Sequence, residues 1–173
     1  MNFSLDEAIQ ILEATPKTLE SFLSNLSNDW LTCNEGEGTW NTSQVIDHLI
    51  ECEKTNWIPR IKTILAETEN KSFPPFDRDG HITNPPKTSL EQKLAEFKQL
   101  RLQNIKIVKD LIKSDSQFEL TGEHPVFGEV KLRELISTWM VHDLTHLSQI
   151  VRVMAERYRK DVGPWEEYLG VLK

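Results

Sequence analysis

Apolar residues recur at steps of three and four over four long stretches of the chain. Leu5, Ala8, Ile9 and Leu12 form the first stripe, continued by Leu19, Phe22, Leu23 and Leu26. Side chains at such spacing share one face of an α-helix, so each stripe predicts an amphipathic helix. Ser4 with Glu7 has capping-box spacing for the first start. Pro16 removes a backbone donor and disfavours helix at Thr15, which predicts a break or kink there. The second stripe is Val45, Ile46, Leu49, Ile50, Trp57, Ile61, Ile64 and Leu65, after the capping pair Asn41 and Gln44. Pro59 should bend this helix or end it early. A third helix is expected from Thr88 and Glu91, with Leu90, Leu94, Phe97, Leu100, Ile107, Val108, Leu111 and Ile112 inward. The fourth runs from Lys131 or Leu132 to about Arg157. Gly163 and Pro164 stop it, and Trp165, Tyr168, Leu169 and Leu172 predict a short tail helix.

Between the stripes lie loops at residues 27–40, 66–88 and 114–130. No segment reads convincingly as a strand, so the predicted fold class is all-α. Four stripes that must each be buried predict a four-helix bundle. The middle loop is long enough to run the length of a ~30 Å helix, so the third helix can lie parallel to the second. A chain of 173 residues suffices for one sizeable core, and a single domain over 1–173 is expected.

Charge narrows the partners. Lys plus Arg number 20 and Asp plus Glu 27, a net charge of −7. That balance argues against a dedicated nucleic-acid or anionic-membrane binder. No apolar run approaches the ~20 residues of a membrane span, and no secretory signal opens the chain, so a cytoplasmic location is expected. Cys33 and Cys52 alone do not make a disulfide framework.

The candidate chemistry sits in the fourth stripe. Leu132, Leu135, Trp139, His142, His146, Gln149 and Val153 form one continuous face, and HDLTHL places two imidazoles four apart on it. Such a pair can hold one metal ion; it can equally be two core histidines bonded to neutral groups. His48, inward on the second helix, is the natural third ligand. Cys52, one turn on, is read as a small buried residue rather than a soft fourth ligand. His81 is expected at the surface, and His124, before Pro125, ranks behind His48. Asp143 points about 100° around the helix from His142; it is a weak candidate for a catalytic base and a better one for a supporting partner.

Taken together, GTW at 38–40, HLIECEKTNWIPRIKTIL from His48, HPVFGEVKLRELISTWMVHDLTHLSQIVRVMAERY from His124 and the final GPWEEYL resemble the DinB-like superfamily over essentially the whole chain. The resemblance implies a four-helix bundle of up-down-down-up order with a short C-terminal helix. It implies a divalent metal, zinc or nickel, held by His48, His142 and His146, and a homodimer acting on a small-molecule substrate. Lys131 departs from the Thr more usual at that helix start. Members with assigned reactions are mainly thiol-dependent transferases, and others carry a metal-dependent hydrolase label.

Three histidines leave a metal at least one open position. Two chemistries follow: a low-molecular-weight thiol is activated there and attacks an electrophile, or water is activated and cleaves a small ester or amide. Thiol transfer is the preferred expectation, hydrolysis the first alternative, and a non-enzymatic metal-binding dimerisation module the second. Hydrolysis needs an acid or base near the metal, for which Asp143, Glu51 and Glu53 are the candidates. Arg60 and Arg152 are either partners for carboxylates of a thiol cofactor or ordinary salt-bridge residues. Met140, Leu147 and Met154 are either a surface for a partner chain or part of the chain's own core.

Overall fold

The computed structural model describes residues 3–83 and 85–173. Its elements are helices α1 (Leu5–Leu23), α2 (Asn28–Thr32), α3 (Thr42–Thr55), α4 (Trp57–Leu65), α5 (Gly80–Thr83) and α6 (Leu90–Leu111), strands β1 (Thr121–His124) and β2 (Gly128–Lys131), and helix α7 (Leu132–Glu156). Short 3-10 turns cover Asp115–Glu119, Gly163–Tyr168 and Gly170–Leu172. Four long rods, α1, α3 with α4, α6 and α7, make a four-helix bundle.

Cross-helix contacts give the directions. Glu20 meets Lys98 while Glu13 meets Lys109, so α1 and α6 are antiparallel. Asp47 meets Lys93 while Glu53 meets Arg101, so α3 and α6 are parallel. His48 meets His142 while Glu53 meets Trp139, so α3 and α7 are antiparallel. The order is up-down-down-up, as the long middle loop allows. Two apolar clusters fill the interior. One gathers Leu12, Trp57, Ile61, Ile64, Val108, Leu132 and Trp139; the other gathers Leu19, Leu23, Ile46, Leu49, Phe97 and Ile150. Met154 is buried in the second, Leu147 packs against it, and Met140 packs against the first. These residues therefore belong to the chain's own core. No described helix is long and apolar enough to cross a membrane.

Several starts follow the sequence signals. Ser4 Oγ accepts from Glu7 N at 3.3 Å. Asn41 and Gln44 close a full capping box at 2.9 Å each way. The third start falls one residue later than expected, with Ser89 and Gln92 forming the box. At α7, Glu134 Oε2 accepts from Lys131 N at 2.8 Å, but a lysine side chain has no acceptor for the return bond.

Three local expectations are corrected. The first helix does not break at Pro16 but runs through it. A proline leaves the carbonyl four residues earlier without a donor; that carbonyl, Leu12 O, accepts from the buried Arg101 Nη1 at 2.9 Å. The break expected at Pro59 falls three residues earlier, at Asn56, between α3 and α4. Residues 114–130 are not simply loop, since Thr121–His124 pairs antiparallel with Gly128–Lys131. The turn between them ends on Gly128 at φ 73°, left-handed backbone that suits glycine. The hairpin is tied to the middle loop: Phe73 N donates to Glu123 O at 2.8 Å and Glu123 N to Lys71 O at 2.9 Å.

Candidate metal centre

The capped N-terminal turns of α3 and the C-terminal half of α7 face each other, and their histidines meet. His142 Nε2 lies 3.2 Å from His48 Nε2 and 3.1 Å from His146 Nε2. One nitrogen from each ring falls within 4.8 Å of the other two. His48 and His146 are buried, and His142 is half-buried. Burial, with His146 next, pushes the His48 imidazole down to about 3; burial with His146 and His48 pushes His142 down to about 2. Burial lowers His146 too, against the pull of Gln149 and Asp143. All three rings are therefore neutral near pH 7 and present lone pairs.

A neutral imidazole has one N–H and one acceptor nitrogen. Gln149 Oε1 lies 2.8 Å from His146 Nδ1 and accepts its N–H, which turns the Nε2 lone pair toward the other rings. Three facing Nε2 atoms cannot all be satisfied by one another's protons. A cation among them satisfies every lone pair at once, so the donor set fits a divalent metal. Three imidazoles suit zinc and nickel alike.

Aromatic walls enclose the cluster. The Trp40 ring lies 4.8 Å from His48 and stacks 6.3 Å from His146, and Trp57 meets His142 edge-on at 5.2 Å. Cys52 Sγ is 3.4 Å from His48 Nε2 and 4.0 Å from His142 Nε2. Burial, with Glu53 next, raises its thiol well above the usual range, so it is a neutral buried group unless a metal claims it. His81 is not at the surface as expected. It is buried, edge-on to Trp40 at 4.6 Å, with neither ring nitrogen partnered among the described residues. His124 stands in the hairpin, where its Nδ1 accepts from Val126 N and Phe127 N.

The histidines open onto a cavity of about 590 Å³, walled by Trp57, Phe73, Phe76, Phe127, Leu135 and Thr138, with Arg60 and Arg78 also lining it. A hollow of similar volume, about 610 Å³, lies between Phe3, Phe118 and Arg133 and contains no histidine or cysteine.

Asp143 is not brought to this cavity. It is fully buried, and both oxygens are taken by Arg101, with Oδ1 at 2.9 Å from Nη2. Arg101 also donates to Glu53 Oε1 at 2.9 Å, which in turn accepts from Trp139 Nε1 at 2.9 Å; Asn104 Nδ2 holds the other Glu53 oxygen at 2.9 Å. With Leu12 O this network joins all four rods. Asp143 thus stands as the supporting partner that the sequence favoured over a catalytic base: its carboxylate is fully buried and turned to Arg101, away from the cavity. Arg152 is a salt-bridge residue, paired with Glu35. Trp40, Phe73 and Phe76 escaped the sequence reading of the site because they lie in loops without periodicity; Gln149, three residues after His146, carried a helical-neighbour signal.

Fold and cluster together define a four-helix bundle with an inward histidine triad. The chain belongs to the DinB superfamily, whose sequence profile matches residues 11–150. A relative from Oceanobacillus iheyensis, named "Putative metal-dependent hydrolase", is 28% identical over 153 residues, covering 86% of this chain and 85% of the relative. A Bacillus cereus protein of the same name is 26% identical over 147 residues, 84% and 83% of the two chains. Among solved structures, YfiT from Bacillus subtilis, described as a probable metal-dependent hydrolase with an unusual four-helix bundle topology, superposes with a TM-score of 0.74 at 21% identity, over 94% of this chain and 91% of YfiT. A DinB-like protein from Bacillus cereus gives 0.61 at 15% identity, over 91% and 95%.

Proposed function

We propose that the protein is a metal-dependent enzyme in which His48, His142 and His146 hold a divalent cation, zinc or nickel, and that its reaction joins a small thiol to an electrophile. The observation carrying this reading is a convergent triad on a largely apolar cavity, whose one lining carboxylate among the described residues, Glu134, has an oxygen engaged in capping α7. Asp143 and Glu53 are committed to Arg101. Glu51 lines a different hollow, and Glu134, which does line the cavity, is occupied in capping α7. A cation bound at the triad would supply Lewis acidity that deprotonates a thiol or a water alike. Cleavage of an amide also needs an acid to protonate the leaving amine, whereas displacement by a thiolate of a good leaving group needs none. Gln149 orients His146, and Trp40, Trp57 and Phe76 pack against the histidines and would limit the access of water to a ligand bound there. In transfer to a halide, a carbon–sulfur bond forms, the carbon–halogen bond breaks with its electron pair leaving on halide, and the thiol proton passes to solvent.

Hydrolysis of a small ester or amide is the second reading, favoured by the names of the relatives. A non-enzymatic metal-binding dimerisation module is the third. Metal-loaded protein incubated with monochlorobimane and several thiols separates them. Thiol-dependent product that disappears in His48→Ala supports transfer. Turnover of nitrophenyl esters without thiol replaces it with hydrolysis. Bound metal with neither activity leaves the module. Elemental analysis of untagged protein beside the three single-histidine variants identifies the cation, and loss of metal in each variant is expected.

We also infer one domain over 1–173, since both apolar clusters draw on several rods. We infer a homodimer as well. Val141, Leu144 and Val151 are exposed along the outer face of α7, and light scattering of the purified chain should read twice the chain mass.

A further inference from the structure

The cavity that holds the triad also holds a buried cation without a counter-charge. Arg60 on α4 is only 9% exposed and lines the cavity. Its guanidinium lies over the Phe73 ring, 5.4 Å from the centroid. Other deeply buried cations of the described residues are paired: Lys93 with Asp47 at 2.6 Å, and Arg101 with Glu53 and Asp143. Arg60 makes no ion pair with any described residue. Burial lowers its pKa, and the one group acting against that is the Cys52 thiol; no carboxylate contributes.

A guanidinium set in an apolar cavity wall with no carboxylate partner is poorly solvated compared with one at the surface, and arginine cannot escape that cost by shedding its proton. Such a group is retained against stability where a ligand completes it. Its planar fork matches an oxyanion through two parallel hydrogen bonds. The cavity volume of about 590 Å³ is that of a small-molecule site, and its apolar walls with a few polar groups follow the usual composition. Arg60 also acts on Cys52, whose sulfur touches His48, so its charge is felt at the triad's end of the cavity. Arg78 and Arg152 also line the cavity, but Arg78 is exposed and Arg152 is paired with Glu35, so the deep end offers one unpaired charge, which matches a monoanion better than a dianionic phosphate.

We propose that the cavity takes a small substrate bearing a carboxylate, with that carboxylate clamped by Arg60 while its reacting group lies at the triad. This rests on the reading of the triad as the reaction centre, but the clamp itself is testable without it.

The test is equilibrium binding to metal-free protein, followed by tryptophan fluorescence and ligand-observed NMR, with 4-phenylbutyrate, its neutral amide, and phenylphosphonate. The wild type should bind the carboxylate at least about tenfold more tightly than the amide, a charge-assisted pair being worth that much. Arg60→Met should remove this preference and leave amide binding unchanged; Arg60→Lys should recover only part of it. His142→Ala should retain the preference, which separates the clamp from the metal site; loss of the preference in that variant overturns the clamp. Arg60→Met should also melt no lower than wild type, because it removes an unpaired buried charge. Equal binding of acid and amide, a preference that survives Arg60→Met, or a large loss of stability in that variant overturns the proposal. Tighter binding of the phosphonate than of the carboxylate overturns the choice of anion.

Discussion

His48 carries a proton balance that can be read directly. Its folded pKa is about 3, against 6.5 for an ordinary imidazole, with burial the main cause and His146 the next. In metal-free protein its Cε1 resonance should therefore keep the neutral position from about pH 7 to about pH 5, where an ordinary histidine is mostly charged. Movement centred near 6.5 would show that the ring is not buried as described. The folded value lies below the unfolded one, so below pH 6.5 the unfolded chain takes up protons that the native state refuses. Stability contributed by His48 is complete above 6.5 and is lost as pH falls towards 3. Asp47 and Glu53, raised chiefly by burial, act in the opposite sense as pH falls. The histidine effect is thus the part of the urea-midpoint change below 6.5 that follows the imidazole resonances. Gln149 supports a second residue-scale expectation. Removing the acceptor that orients His146 in Gln149→Ala should weaken metal binding by about 10–100-fold with the fold intact, as measured by chelator competition. At this scale the triad was legible, because spacing four on an inward helix face needs no tertiary knowledge. The commitment of Asp143 was not: its partner Arg101 lies on another helix, and nothing local marks the pair.

Among the elements, sequence periodicity missed the hairpin of β1 and β2 and the short helices α2 and α5, which fall inside expected loops. Four-residue strands are too short to show a period of two, and TGEH and GEVK are largely polar. What fixes the hairpin is tertiary: Gly122 sits where a Cβ would come within 2.5 Å of Phe73 and 2.8 Å of Ile64. Gly122→Ala should cost about 1–3 kcal/mol through overpacking. It should also raise hydrogen exchange at Phe73 N and Glu123 N, the amides that tie hairpin to loop. Unchanged stability and exchange would mean that the hairpin does not depend on that close approach. Pro16 teaches the same lesson from the other side. Its local rule predicts a broken helix, and a guanidinium from α6 removes the penalty by taking up the Leu12 carbonyl.

Across the whole molecule, the Arg101 network ties α1, α3, α6 and α7 together midway between the two apolar clusters. Arg101→Met should destabilise the fold by about 3–5 kcal/mol, since Asp143 and Glu53 are left buried without their cation and Leu12 O loses its donor. Guanidinium denaturation measures it. A loss under about 1 kcal/mol would show that the network is dispensable. Because α7 carries both Asp143 and the histidines beside it, the network and the site share one helix.

The four rods, most of their starts, and which rods carry the histidines are legible along the chain. These follow from apolar period and capping chemistry, which act over a few residues. Tertiary structure alone decided that the helix survives Pro16, that Asp143 is spent on an ion pair, that His81 is buried, and that Arg60 is left facing a cavity without a counter-charge. Each depends on which charged or polar group a distant segment delivers, and burial turns that delivery into an energy too large for local preference to override.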